Sequence, residues 1–146
     1  MQRRILRLLV LMLLSISAVF IPLQASAETG VTITVGATST LLDPTLVIVP
    51  VQITCDPMDV DYNQGYAELR QAVSKRLIAH GVGYPQDLIV CDGLPHENPY
   101  QFWADPSGPP FSKGDATVTI NVYLCGSGFC QSGSSGVQVT RLTSKL

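Results

Sequence analysis

From Leu46 to Cys55 apolar side chains occupy every second position. Val47, Val49, Val51, Ile53 and Cys55 share one side, and Gln52 and Thr54 point to the other. A period of two is the mark of a strand with one buried face. The same device recurs. Val31, Ile33 and Val35 alternate with threonines, and Ala116, Val118, Ile120 and Val122 alternate with Thr117, Thr119 and Asn121. Between these runs lie turn signals such as Asp43-Pro44, Asp56-Pro57, Tyr84-Pro85, Asp92-Gly93 and Lys113-Gly114. Ten prolines and twelve glycines suit short strands joined by turns better than a helical bundle.

The first 27 residues have the three parts of a secretion signal. Arg3, Arg4 and Arg7 give a positive start, Leu8 to Ile21 an apolar middle, and Ala25-Ser26-Ala27 a small-residue exit. The apolar run is shorter than the ~20 residues that span a bilayer, so it reads as a cleaved leader (1–27) and not as an anchor. The rest, 28–146, fits one domain. In it Arg70, Lys75, Arg76, Lys113, Arg141 and Lys145 stand against all eleven acidic residues. That balance argues against nucleic acid or an anionic membrane as a partner.

Cys55, Cys91, Cys125 and Cys130 form an even set, which in an exported chain points to disulfides. Three pairings are open. The Gly-Ser-Gly-Phe stretch between Cys125 and Cys130 is flexible enough to fold back on itself, so the preferred pairing is Cys125 with Cys130 and Cys55 with Cys91. The rival, Cys55 with Cys125, would match the inter-sheet bridge of immunoglobulin domains. A zinc site needs close pairs of thiolates, and Cys55 and Cys91 each stand alone in sequence.

Residues 64–80 admit two readings. Tyr66, Leu69, Val73, Leu77 and His80 fall on a helical stripe that Gly81 would end, giving an α+β protein. Read as a hairpin, 66–73 and 76–81 supply strands that a second sheet requires. The expected fold is therefore all-β, an immunoglobulin-like antiparallel β-sandwich with two disulfides. Its strands are expected near 31–36, 46–55, 66–73, 76–81, 87–91, 99–104, 115–125 and 136–143.

With these residues in order, the chain resembles uncharacterised immunoglobulin-like domains of secreted bacterial proteins. The likeness rests on the strand ending in Cys55, on His80-Gly81-Val82-Gly83, on Val90-Cys91-Asp92-Gly93 with His96 after it, and on Phe111-x-x-Gly114-x-Ala116-x-Val118. The Cys125-x4-Cys130-Gln131 hairpin is also similar to that of neocarzinostatin-type chromoprotein apoproteins, which implies a cleft for a small apolar ligand. The other two cysteines depart from that pattern.

No catalytic or cofactor signature emerges. Asp59-x-Asp61-x-Asn63 spaces oxygen ligands as calcium loops do. However, Gly65 comes one place late and Arg70 stands where the bidentate glutamate belongs, so an acidic solvated loop is the expectation. His80 and His96 would have to serve any hydrolytic dyad, and no serine lies in a nucleophile elbow, since Gly126-Ser127-Gly128 and Gly133-Ser134-Ser135-Gly136 read as flexible hairpin residues. Asp92 and Glu97 would need a deep cleft to act as paired carboxylates. Aromatics give the candidate binding surface: Tyr100, Phe102, Trp103 and Phe129. Tyr100 and Phe102 point to one side of their strand and Trp103 to the other, with Trp103 expected to fill the core. Function is thus expected to be a secreted, non-catalytic binding module, its partner an extracellular protein or glycan. The alternative is a carrier of a small apolar ligand.

Overall fold

A computed structural model describes residues 30–126 and 128–144. Every regular element there is a strand: β1 (Val31–Val35), β2 (Thr38–Asp43), β3 (Leu46–Val49), β4 (Val51–Cys55), β5 (Tyr62–Ala72), β6 (Ile78–Pro85), β7 (His96–Glu97), β8 (Tyr100–Ala104), β9 (Gly114–Gly126) and β10 (Phe129–Ser144). The all-β expectation holds. The expected leader lies outside the described residues.

Segment 64–80 is a hairpin. β5 and β6 pair antiparallel from Ala67↔Gly83 to Ala72↔Ile78, and the backbone N–H groups of Val73 and Ser74 donate to Leu77 O across the turn. Ala67, Leu69 and Gln71 face inward while Glu68 and Arg70 face out. Local helix preference is weak beside partners on both sides of a strand.

Seven strands close a barrel in the order β10-β2-β3-β8-β6-β5-β9, and β1-β4-β7 form a separate three-stranded sheet. The barrel closes where β10 runs parallel to β2, from Arg141↔Thr38 to Ser144↔Leu41. Inside that seam the hydroxyls of Ser39 and Thr140 lie 2.7 Å apart and hydrogen-bond. The run 46–55 divides at Pro50, whose missing N–H interrupts the ladder. Thus β3 belongs to the barrel and β4 to the small sheet.

Other boundaries shift too. The first expected strand ends at Val35 and is followed by β2, which alternation did not reveal; the last is part of the longer β10. Residues 87–91 hold no strand, only a bridge between Met58 and Cys91. The Gly133-Ser134-Ser135-Gly136 run is not a hairpin tip. It forms a bulge in β10, where buried Ser135 accepts from Ile120 N–H at 2.9 Å and donates to Gly136 O.

Both disulfides have the preferred pairing. Cys55–Cys91 spans 36 positions and ties β4 to the loop after β6, while Cys125–Cys130 joins facing residues of β9 and β10. The barrel core holds Val47, Val49, Leu69, Phe102, Val118 and Ile120. Room for its rings comes from β6: a Cβ on Gly83 would lie 2.5 Å from Phe102, and one on Gly81 would lie 2.8 Å from Phe111.

Two buried glutamines fasten loops in the same manner. Gln71 donates to Ser112 O and accepts from Ser112 N–H, both at 2.8 Å. Gln131 donates to Asp56 O at 2.9 Å and accepts from Asp56 N–H at 3.1 Å. Each side-chain amide bonds both backbone groups of one loop residue, Asp56 N–H being shared with Gly30 O at 3.0 Å.

Candidate functional site

Because side chains alternate along a strand, every inward residue of the barrel has outward neighbours, and register decides which of these meet. Tyr66 faces Asn121, Glu68 faces Val82, Val82 faces Trp103, and Tyr84 faces Gln101. The β5–β6 ladder ends at Ala67↔Gly83, and Tyr66 and Tyr84 are the next residues of the two strands, both on the outer side; Tyr123 faces Gln64. Tyr123, Tyr66, Tyr84 and Trp103 therefore form an aromatic belt on the outer surface of β9, β5, β6 and β8. Their exposures are 46%, 50%, 60% and 52%. Four neighbouring strands make this belt roughly 15 Å wide.

Beside it the serines of β10 are short and the tyrosines of β5 and β9 are tall, which leaves an open groove. Its volume is about 660 Å³, and Gln64, Tyr66, Asn121, Tyr123, Ser132 and Ser134 line it. The groove thus pairs ring faces with neutral amides and hydroxyls. Farther along the same face Ala72, Ile78, Ala116 and Val139, with Arg70 and Asp115, border a more apolar hollow of about 500 Å³.

Charged groups in this face satisfy one another. Glu68 accepts from the Arg70 guanidinium and lies 2.9 Å from His80 Nε2. Partial burial alone would raise the Glu68 carboxyl, but Arg70, the Tyr66 hydroxyl and His80 outweigh it and hold the group below its ordinary value. Burial, with the adjacent Glu68 charge, pushes the Tyr66 hydroxyl up.

The residues singled out in the sequence divide. Tyr100 and Phe102 are core side chains, their ring centroids 6.3 Å apart, and present no surface. Burial alone pushes Tyr100 up to about 12. Trp103 does not fill the core: it lies on the outer belt. Phe129 is half-exposed at the β9–β10 hairpin, away from the belt's centre. Asp59 and Asp61 precede β5, which contains Asn63, and among the described residues no group of three or more His, Cys, Asp or Glu converges as a metal site. Each histidine meets a carboxylate, His80 with Glu68 and His96 with Asp92 at 2.8 Å.

Sequence reading passed over Tyr66, Tyr84 and Tyr123 as belt residues. The signal was available: extending the alternation of Val118, Ile120 and Val122 by one position puts Tyr123 outside. Compared with family models, curated proteins and solved structures, the chain matches none.

Proposed function

We propose that this chain is an exported, non-catalytic binding module that holds a glycan along the outer face of its barrel. The observation that carries this reading is the exposed belt of Tyr66, Tyr84, Tyr123 and Trp103 beside a groove of neutral amides and hydroxyls. Rings at half exposure leave apolar surface in water that a ligand can cover. The C–H face of a sugar stacks on such rings, and its hydroxyls need fixed neutral partners, which Gln64, Asn121, Ser132 and Ser134 supply. The nearby charges are already paired in the Glu68 cluster, so they do not select for a charged ligand.

Export accords with the leader-like N-terminus and with two disulfides, which persist in oxidising compartments. Among the described residues no helix is long and apolar enough to cross a membrane. On this reading the barrel and the small sheet together make an immunoglobulin-like sandwich in which runs 46–55 and 96–104 each serve both sheets, in keeping with the likeness to secreted bacterial domains. A second reading, carriage of a small apolar ligand, draws on the hollow at Ala72, Ile78 and Val139. Carriers enclose most of their ligand, whereas this hollow lies on the outer face.

Affinity electrophoresis against soluble plant, fungal and bacterial polysaccharides tests the proposal. The expected result is retardation by one glycan class, reduced at least about tenfold by Tyr66→Ala with Tyr123→Ala. Mobility unchanged in every gel, or retardation that survives the double substitution, would overturn it. Uptake of an apolar dye that Ile78→Asp abolishes would favour carriage.

A further inference from the structure

The two ends of the barrel carry opposite charge. No Lys or Arg occurs between Arg7 and Arg70 or between Arg76 and Lys113. Strand direction therefore places Arg70, Lys75, Arg76, Lys113 and Arg141 near the end where β5 turns into β6 and β9 begins. Asp43, Asp105 and Asp115 lie at that end as well. All three are engaged: Asp43 by Thr45, Asp105 by Ser107 and Asp115 by Arg141. Lys75, Arg76 and Lys113 make no ion pair among the described residues. The β5–β6 turn and the first residue of β6 present Lys75-Arg76-Leu77-Ile78 as an exposed stretch, cationic first and apolar after.

At the disulfide end the chemistry is reversed. A groove of about 430 Å³ is lined by Met58, Asp59, Asp61, Leu88, Val90 and Asp92, among others, with Asp87 next to Leu88. Leu88 is 86% exposed, the highest value among the large apolar side chains. The carboxylates of Asp59 and Asp61 have no hydrogen-bond or ion-pair partner among the described residues. Asp61 N–H bonds to Cys125 O, which fixes this segment against β9, and Gly126 permits the close approach because a Cβ there would strike Asp59 O.

We infer that the β5–β6 turn of one copy docks in the disulfide-end groove of a second copy, so that the protein associates head to tail. Lys75 and Arg76 meet Asp59, Asp61 and Asp87, while Leu77 and Ile78 cover Leu88 and Val90. The two surfaces match in charge and in apolar content. They sit at opposite ends of β5, which over its 11 residues separates them by roughly 33 Å, so one molecule cannot close on itself. Such a contact is heterologous and adds copies in a row.

Sedimentation velocity of the disulfide-bonded protein at rising concentration tests this. The average sedimentation coefficient should climb with concentration in about 20 mM NaCl and fall to the monomer value in about 0.5 M NaCl, where charges are screened. Lys75→Glu with Arg76→Glu, and separately Asp59→Lys with Asp61→Lys, should each weaken association at least about tenfold. Mixing the two variants should restore it, because each then offers an oppositely charged turn or groove to the other. All four positions are exposed, and circular dichroism checks that both variants remain folded. A monomer at every concentration in low salt overturns the inference. So does association that both variants retain, or a groove that binds an added Lys-Arg-Leu-Ile peptide while the protein itself stays monomeric.

Discussion

Pro50 and Pro99 stand opposite each other at the corner where two paired strands leave one sheet and enter another. Val49 pairs with Tyr100 in the barrel, Gln52 pairs with Glu97 in the small sheet, and the register is unbroken between them. Asn98 N–H still reaches Val51 O at 2.7 Å, so the ladder resumes one residue past the prolines. Two residues without a donor thus face each other where the sheets diverge, and neither strands a partner's carbonyl inside a sheet.

Replacing both prolines by alanine should leave this pairing in place, since side-chain alternation on either side specifies the register. The cost comes from a freer unfolded chain, about 0.4–1 kcal/mol for each position. Urea unfolding should show that loss with an unchanged circular dichroism spectrum.

The two disulfides should differ in weight. By loop length Cys55–Cys91 stabilises by roughly 4 kcal/mol and Cys125–Cys130 by roughly 2 kcal/mol. Urea midpoints of the two paired Cys→Ala variants should therefore rank with the Cys55 and Cys91 variant lower.

Gln131→Ala removes both bonds to Asp56, so Asp56 O loses its amide donor while Asp56 N–H keeps only Gly30 O. A loss of about 1–3 kcal/mol should follow. Urea unfolding should show that loss, while hydrogen exchange at Ser112 N–H, held by Gln71, stays slow.

The pH dependence has a definite sign. Glu68 is held below its ordinary 4.5 in the folded chain, so its ionised form stabilises the fold above that pH, and the contribution disappears as pH falls through the lowered value. Asp43, held by Thr45, Asp92, held by Leu94 N–H, and Asp105, held by Ser107, add losses below 3.8. Glu68→Gln should flatten the upper part of the acid limb in urea titrations. At the alkaline side Tyr100 acts in the opposite direction: its stabilisation is complete below 10.0 and is lost as pH rises toward about 12.

Alternation was enough to place β1, β4, β9 and the inward side of β3, because one-sided burial prints a period of two on the residues themselves. The short loop from Cys125 to Cys130 was likewise readable as a local closure. The barrel was not. Whether 46–55 serves one sheet or two depends on Pro50 facing Pro99, a relation between residues far apart in sequence. Trp103 was misplaced for a similar reason: its strand's parity was visible, but which side met the core followed from pairing with β3 and β6. The belt was legible only in pieces, since Tyr66, Tyr84, Tyr123 and Trp103 come together through the register of four strands.

Trp103 is the single tryptophan of the chain and stands in the belt, so its fluorescence reads ligand contact there directly. Titrating the glycan that retards the protein should shift Trp103 emission to the blue and reduce its quenching by acrylamide, with Tyr84→Ala weakening the response. Emission and quenching that stay constant while the glycan is bound would contradict the account, placing the ligand away from the belt.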